Sequence, residues 1–235
     1  MIRSSHWQNG NHVAQLHSQF WMKPIQALER LSYWQVTSAL PAYPEAWTTI
    51  KHIARRDRLD LTFDVWKCAV IYALLKRYLV GQRVLIIGDG FGVLARLISE
   101  SLRPPWLGLI DLPEQLVCQR RHLRRSASFC EPQDVLSLPP FEVAINVASM
   151  QEMTKEMIGT YFYVMRKNKA LFYCLNRLEK KLPGGEIVRF VDYHWSSKDF
   201  VLIDEKCPFY THMLTPLPTR FDGEHWHRLA LLTDL

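Results

Sequence analysis

The amino-acid sequence predicts an α/β fold in three layers, with a mostly parallel central sheet between helices and a helical extension at the N-terminus. Three observations predict it: short apolar runs alternate with segments of helical spacing from residue 81 onward, a glycine-rich turn follows the first run, and an aspartate ends the second. Strands that alternate with helices are typical of βαβ units, whose right-handed crossovers build a parallel sheet. We therefore expect a helical N-terminal domain, 1–80, and an α/β domain, 81–235.

Composition and charge narrow the class of protein. The chain of 235 residues is 48% hydrophobic and 22% charged, as in globular proteins whose core needs no disulfide. Its five cysteines are odd in number and never spaced as CxxC, so neither a disulfide framework nor a structural zinc site is expected. The start of the chain lacks the apolar stretch of a secretion signal, and 68–80 is too short to cross a bilayer. A soluble, cytoplasmic protein is expected.

The N-terminal 80 residues are predicted to be helical and to cap the substrate side of the sheet. A second helix follows from Glu45, and Phe63–Leu79 is apolar on nearly all sides, as in a helix buried between layers. Aromatic side chains in this region could roof an acceptor pocket, although plain helix packing is the simpler explanation for any one of them. The residues at helical spacing are Trp21, Ile25, Leu28, Leu31 and Trp34, and the aromatic ones are Trp21, Tyr33, Trp34, Tyr43 and Trp47.

Strand and helix patterns alternate through the second domain. The predicted strands are 84–87, 106–110, a weak one at 127–130, 143–147, 170–175, 186–191 and 227–232, the last closing the sheet. The predicted helices are 93–102, 114–125 and 150–166, and a turn lies at 183–185.

A glycine loop follows the first predicted strand. Gly88, Asp89, Gly90, Phe91 and Gly92 form the pattern GxGxG. Such a loop lets the backbone approach a ligand, and the helix that follows offers its N-terminal N–H groups. The dinucleotide pattern GxGxxG or GxGxxA fails because Val93 occupies its last position. The spacing instead fits Rossmann-like methyltransferases, so these five residues are predicted to contact S-adenosylmethionine.

Acidic residues follow the next two strands. Asp111, with Leu112 beside it, ends the second strand, where a carboxylate can accept the ribose hydroxyls of a nucleoside. Its alternative role is to cap the helix that starts near Pro113. Asp134, after the third strand, could meet the adenine amino group or simply form a turn. Asn146 and Val147, at the end of the fourth strand, are further predicted cofactor contacts.

Three segments resemble a known family. The segments 86–92, 146–153 and 173–177 are similar to those of the sugar O-methyltransferase family in the class I methyltransferase superfamily, and 192–195 is similar to another of its motifs. The resemblance implies a Rossmann-like fold, S-adenosylmethionine as cofactor, and transfer of its methyl group to a hydroxyl of a sugar or another small polar metabolite. One departure is Ile86, where many class I enzymes carry an acid that contacts the cofactor's amino group. Asp89 is expected to compensate, or the amino group is held otherwise.

A hydroxyl acceptor needs a base, because an alcohol is a poor nucleophile until it loses its proton. Glu152, past the fourth strand, is the leading candidate. Its alternative role is structural, since Ser149 and Glu152 match the capping-box pattern S-x-x-E. His194 is a second candidate because imidazole titrates near neutral pH, although the resembling family often has proline there.

Polar residues near the same rim are predicted to bind the acceptor. Gln151 and Asn176 can hydrogen-bond a polyol, and Arg177 can hold a carboxylate or phosphate, although a turn Asn and a surface Arg are equally simple interpretations. His225 and His227 alternate on a strand without an evident third ligand, so no metal is expected.

Two other functions stay open. Much of the excess positive charge, +6 in all, lies in the basic run 120–125, which suits an RNA methyltransferase. No NPPY-type tetrapeptide or RNA-binding motif accompanies this run, and a solvated helix face is the simpler interpretation. The missing acid at Ile86 instead suits a non-catalytic domain that keeps the fold as a scaffold. The acceptor is expected to be a small molecule, neither nucleic acid nor membrane, and an oligomer is compatible with the sequence.

Overall fold

The computed structural model describes residues 34–123, 126–209 and 223–233. Five residues of the predicted N-terminal helices, and two arginines of the basic run, lie outside these ranges. They are Trp21, Ile25, Leu28, Leu31 and Tyr33, and Arg124 and Arg125. Within the described ranges, no helix combines the length and the apolar character that a membrane span requires.

From residue 34 onward, three helices precede the sheet: α1 (Trp34–Ser38), α2 (Tyr43–Asp57) and α3 (Phe63–Leu79). Helix α3 has the predicted bounds, and it begins where the Thr62 hydroxyl accepts a hydrogen bond from the Val65 amide. Helices α2 and α3 share one buried apolar cluster with the sheet. The division of the chain at residue 80 stays a prediction.

Seven strands form the main sheet in the described part of the chain. They are β1 (Val84–Ile87), β2 (Leu107–Ile110), β3 (Ser128–Cys130), β4 (Val143–Val147), β5 (Leu171–Arg177), β8 (Phe200–Lys206) and β9 (His225–Leu231). Their order is β3-β2-β1-β4-β5-β9-β8. The first five strands run parallel, and β9 is antiparallel to both β5 and β8. A separate hairpin pairs β6 (Glu179–Lys181) with β7 (Ile187–Arg189).

Helices cover both faces of the sheet. The remaining ones are α4 (Val93–Leu102), α5 (Pro113–Leu123) and α6 (Lys155–Lys167). Since successive side chains of a strand point to opposite faces, Ile86 packs with the cluster of α2, α3 and α4, whereas Leu85 packs with the cluster of α6. The predicted Rossmann-like three-layer sandwich is therefore confirmed.

The structure corrects two predicted elements. The helix predicted at 150–166 is interrupted: a 3₁₀ turn at Met150–Glu152 ends, and α6 begins at Lys155 because the Thr154 hydroxyl caps the amide of Met157. The last strand does not close the sheet, since β8 lies beyond it as the edge strand. Strand β8 has no alternating pattern because nearly all its side chains are exposed.

Candidate functional site

The candidate site lies where the C-terminal ends of β1, β2 and β4 meet. The order of strands reverses here, because β2 follows β1 on one side while β4 pairs with its other side. Ligands of open α/β sheets bind in the crevice at such a switch point. The glycine loop follows β1, Asp111 follows β2, and Asn146 and Val147 end β4.

The three loop glycines serve different purposes, although all have positive φ angles, of +74° (Gly88), +57° (Gly90) and +74° (Gly92). A Cβ on Gly88 would lie well within 3.0 Å of the Ser149 hydroxyl, and one on Gly92 would lie 3.1 Å from Cγ of Gln119. A Cβ on Gly90 would meet nothing within 4 Å. Gly88 and Gly92 therefore permit internal packing, whereas Gly90 leaves space where a ligand can approach the backbone.

The Asp89 carboxylate caps helix α4. It accepts hydrogen bonds from the amides of Leu94 (3.3 Å) and Ala95 (2.7 Å). Burial raises the pKa of Asp89 to about 7 despite these two bonds, which favour the ionised form. Ile86 is buried in the sheet. The carboxylate that was expected to compensate for Ile86 is thus committed to the helix end.

Asp111 joins the end of β2 to the glycine loop. Its Oδ2 accepts hydrogen bonds from the Gly90 amide (2.9 Å) and from Nε2 of Gln119 (2.8 Å), and its Oδ1 accepts one from the Leu112 amide (2.9 Å). Burial raises the pKa of Asp111 above its ordinary value, against these hydrogen bonds. Because helix α5 begins at Pro113 and the carboxylate turns toward the loop, the helix-cap interpretation does not describe these contacts.

Apolar side chains are exposed on either side of Asp111. Phe91 in the loop and Leu112 after β2 are 54% and 45% exposed, and the 3₁₀ turn after β3 spans Pro132–Ser137. Exposed apolar surface at one cleft marks a place where a flat apolar group can bind. Asp134 is exposed in that same turn, and its contact with adenine stays a prediction.

A buried chain of hydrogen bonds crosses the ends of β1, β4 and β5. The Asn146 amide donates to the Ile87 carbonyl (2.8 Å) and to the Ser149 hydroxyl, which itself donates to that carbonyl (3.0 Å). The Asn176 amide donates to Oδ1 of Asn146 (2.7 Å), and its own oxygen accepts from the amide of Gln151 (3.1 Å). We call Asn146, Ser149, Gln151 and Asn176 the amide bridge.

Two of the predicted acceptor contacts belong to this bridge. Asn176 is fully buried and Gln151 is 5% exposed, and Oε1 of Gln151 accepts from the Arg177 amide (2.8 Å). Their polar groups therefore hold the strand ends together. Arg177, at the end of β5, is half-buried at the same rim.

Glu152 is exposed at the end of the 3₁₀ turn after β4. Its Oε1 forms an ion pair with Nζ of Lys180 in the β6–β7 hairpin (2.6 Å) and accepts a longer bond from Nε2 of Gln151 (3.4 Å). The capping-box interpretation is wrong, because the Ser149 hydroxyl makes no cap bond and Thr154 caps the helix instead. Glu152 is thus free of the structural role that competed with catalysis.

His194 lies elsewhere. Its ring packs against Gly159 of α6, where a Cβ would come within 2.9 Å of Nε2, and it is 6.0 Å from the ring of Phe162. It lines an open depression of about 670 Å³ on the outer side of α6, with Leu136 and Tyr163. The described contacts do not bring His194 to the glycine loop or to Glu152.

Three residues of the site were not predicted from the sequence: Gln119, Lys180 and Arg96. Arg96 is buried in α4, donates to the carbonyls of Gly92 (3.2 Å) and Phe91 (3.4 Å), and forms an ion pair with Asp57. A charged residue on the apolar face of a predicted helix was the available signal for Arg96.

No group of three or more potential metal ligands occurs within the part of the chain that the structure describes. His225 and His227 lie on β9, both buried, and Nδ1 of His227 is 3.2 Å from the Tyr173 hydroxyl.

No protein-family model matches the sequence, and a comparison with curated proteins finds no significant match. Solved structures do match. The match to a Thermoplasma acidophilum protein covers 81% of this chain and 97% of that protein, at 14% identity and a TM-score of 0.57. The match to a TehB-like S-adenosylmethionine-dependent methyltransferase from Corynebacterium glutamicum covers 82% of this chain and 99% of that enzyme, at 13% identity and a TM-score of 0.51. At this level of identity the matches show the fold alone: the chain shares the Rossmann-like fold of the TehB-like methyltransferase.

Proposed function

We propose that this protein is an S-adenosylmethionine-dependent methyltransferase acting on a hydroxyl group of a small polar molecule, such as a sugar. One observation carries the proposal: the Gly90 amide donates to the Asp111 carboxylate, so the open glycine and the acid share one cleft at the strand ends. This is the combination that a nucleoside carrying an amino acid requires. Asp111 would hold the ribose, and Gly90 would admit the amino-acid part to the backbone.

The residues present fit this cofactor. Oδ1 of Asp111 accepts one hydrogen bond, from Leu112, and keeps capacity for a ribose hydroxyl. Phe91 and Leu112 offer exposed apolar surface for the adenine ring. Because Asp89 caps α4 and Ile86 is buried, backbone carbonyls at the strand ends are the acceptors proposed for the cofactor's amino group.

When bound, S-adenosylmethionine supplies an electrophilic methyl group on a sulfonium. The protein must hold the acceptor oxygen in line with that carbon, at about 3 Å, and remove its proton. Glu152 is proposed as the base. Lys180 and Gln151 both contact Oε1, which fixes the carboxylate and leaves Oε2 as the oxygen that can take the proton.

The hydroxyl acceptor and its sugar class are supported by the family resemblance of the segments 146–153 and 173–177. In the structure, the amide bridge ties these two segments together, so the motif residues shape the acceptor side through their mutual bonds. Arg177 is proposed to bind an anionic group on the acceptor. His194 remains a weaker base candidate, since it packs on α6.

One observation favours an RNA acceptor instead. Arg120 and Arg121 are exposed in the last turn of α5, and the Arg120 guanidinium lies 5.2 Å above the ring of Phe129. Binding to phosphates would fall steeply with salt. Assay of methyl transfer to RNA at two salt concentrations therefore separates this alternative from a small-molecule acceptor.

Titration calorimetry with S-adenosylhomocysteine (SAH) tests the cofactor part of the proposal. Binding is expected for the native protein, and Asp111→Ala should weaken it by about tenfold to a hundredfold, as for a hydrogen bond to a charged group. Methyl transfer from labelled S-adenosylmethionine to a panel of sugars then tests the acceptor. Absence of binding at about 1 mM SAH would contradict the proposal and favour a non-catalytic scaffold.

A further inference from the structure

We infer that Gln119 is a positioning residue for the cofactor: its side-chain amide holds the Asp111 carboxylate and the Gly90 loop in the arrangement that presents Oδ1 of Asp111 to the ribose. This inference rests on the proposed function, because it concerns how the same cleft holds S-adenosylmethionine. Gln119 would not touch the cofactor itself.

The hydrogen bonds described for the Gln119 side chain are made to the two proposed cofactor segments, the glycine loop and the end of β2. The residue is fully buried in α5. Its Nε2 donates to Oδ2 of Asp111 (2.8 Å) and to the carbonyl of Gly90 (2.9 Å). Its Cγ lies 3.1 Å from where a Cβ on Gly92 would stand. One side chain therefore braces the end of β2 against both later glycines of the loop.

The orientation of this amide is fixed by chemistry. If the amide were flipped, Oε1 would face two acceptors, the Gly90 carbonyl and the Asp111 carboxylate, and both hydrogen bonds would become repulsive. In the orientation observed, Oε1 is buried without a hydrogen-bond partner among the described residues. Because a buried unsatisfied oxygen costs free energy, the contribution of Gln119 lies in its donor end.

These bonds leave one oxygen of Asp111 for a ligand. Oδ2 already accepts two hydrogen bonds, from Gly90 and Gln119, and a carboxylate oxygen has about two acceptor positions. Oδ1 accepts one, from Leu112. Gln119 thus fixes the rotation of the carboxylate about its Cβ–Cγ bond. Without it, the ribose would have to order the carboxylate on binding, and part of the affinity would be lost.

The test compares the dissociation constant of SAH with that of its analogue lacking both ribose hydroxyls, in the native protein and in Gln119→Met. Methionine keeps the length and the apolar stem of the side chain and removes only the amide. In the native protein, the analogue should bind about tenfold to a hundredfold more weakly than SAH. In Gln119→Met, this ratio should fall below about threefold, because the carboxylate no longer grips the hydroxyls efficiently.

Leu116→Ala is the matched control, since Leu116 is also buried in α5 but its apolar side chain can donate no hydrogen bond to Asp111 or to the Gly90 carbonyl. It should lower thermal stability and leave the ratio at its native value. Gln119→Glu is a second variant, which keeps the shape but places an acceptor against Asp111, and its ratio should fall at least as far.

The outcomes separate the inference from the proposed function. If native protein binds neither compound, the proposed function fails and the inference falls with it. If native protein binds SAH and both Gln119 variants keep the native ratio, the inference alone is overturned. Loss of folding in both variants, shown by circular dichroism, would also overturn it, because the residue would then be structural.

Discussion

Substitution of alanine at each of three glycines with left-handed backbone can show whether the glycine borders a ligand cleft or packs against protein atoms. Gly81, Gly88 and Gly90 have φ angles of +74°, +74° and +57°. Alanine at such an angle costs about 1–2 kcal/mol of stability wherever it stands, because its Cβ approaches the following carbonyl. The three positions differ in what the new methyl group meets.

Gly90→Ala should affect ligand binding more than folding. A Cβ at this position meets no protein atom within 4 Å, so the variant should lose the same stability as Gly81→Ala, where the surroundings are equally open. The methyl group would instead occupy space that the cofactor is proposed to fill. An overpacked contact costs about 1–3 kcal/mol, which corresponds to a loss of SAH affinity of about fivefold to a hundredfold or more.

Gly88→Ala should affect folding first. Its methyl group would stand within 3.0 Å of the Ser149 hydroxyl, which hydrogen bonds with Asn146 and with the Ile87 carbonyl hold in place. The clash adds about 1–3 kcal/mol to the backbone cost, for a total of about 2–5 kcal/mol.

Urea unfolding gives the stability of each variant, and calorimetry gives its affinity for SAH. Gly81→Ala serves as the control for the cost of the backbone angle. Affinity of Gly90→Ala equal to that of Gly81→Ala would refute the placement of the ligand beside Gly90. Equal stability of Gly88→Ala and Gly81→Ala would refute the close packing of Ser149 on the loop.

Three further predictions concern single carboxylates. Glu152→Gln should keep SAH affinity and lower turnover by about a hundredfold, and full activity would exclude Glu152 as the base. Asp199→Ala should destabilise the protein by about 3–5 kcal/mol, because it removes the carboxylate that the buried Arg166 guanidinium holds by two hydrogen bonds (2.6 and 2.9 Å). Glu179→Ala, which breaks an exposed ion pair with Arg189, is the control and should cost at most about 1 kcal/mol. Although burial opposes it, Arg166 holds the pKa of Asp199 below its ordinary value, so this stabilisation should be present above about pH 4 and be lost as the pH falls through the lowered value. The stability contributed by Asp89 should depend on pH in the opposite direction, because burial raises its pKa to about 7 in the folded state and the unfolded chain loses this proton first. The free energy of unfolding should therefore decrease as the pH rises from about 4 to 7, and Asp89→Asn should flatten that slope. Urea titrations at several pH values measure the slope, and an unchanged slope in the variant would contradict the prediction.

The sequence alone was sufficient where one physical pattern dominates. Strands β1 and β4 and helices α3 and α4 have their predicted bounds, because each is an uninterrupted apolar or amphipathic run between clear breakers. The glycine loop is predictable because backbone conformation restricts residue choice at such turns, and Asp111 is predicted from its place at the end of the second strand. These features are local, and local rules describe them.

Features that depend on distant partners were not predicted. The helix begins only at Lys155 because Thr154 caps it, whereas the Ser149 hydroxyl donates to the Ile87 carbonyl at the end of β1 and makes no cap bond. Strand β8 was missed because its side chains are exposed and only its hydrogen bonds to β9 define it. Lys180 meets Glu152 across 28 residues, which no periodicity reveals.

The predicted ligand residues divide into those whose polar groups bond to other protein groups and those that stay open to a ligand. Asn146, Gln151 and Asn176 look like binding residues in the sequence because they are polar amides at strand ends, yet the structure uses their donors and acceptors on each other and on backbone. Burying amides requires this, since an unpaired buried polar group would cost more than it contributes. A cleft formed in this way presents mainly backbone, one carboxylate oxygen and apolar surface to the ligand. The amide bridge joins the ends of β4 and β5 to β1. Under the proposed function, β1 carries the cofactor and β4 and β5 face the acceptor, so a substitution in the bridge, such as Asn176→Leu, should lower turnover through misalignment more than it weakens SAH binding.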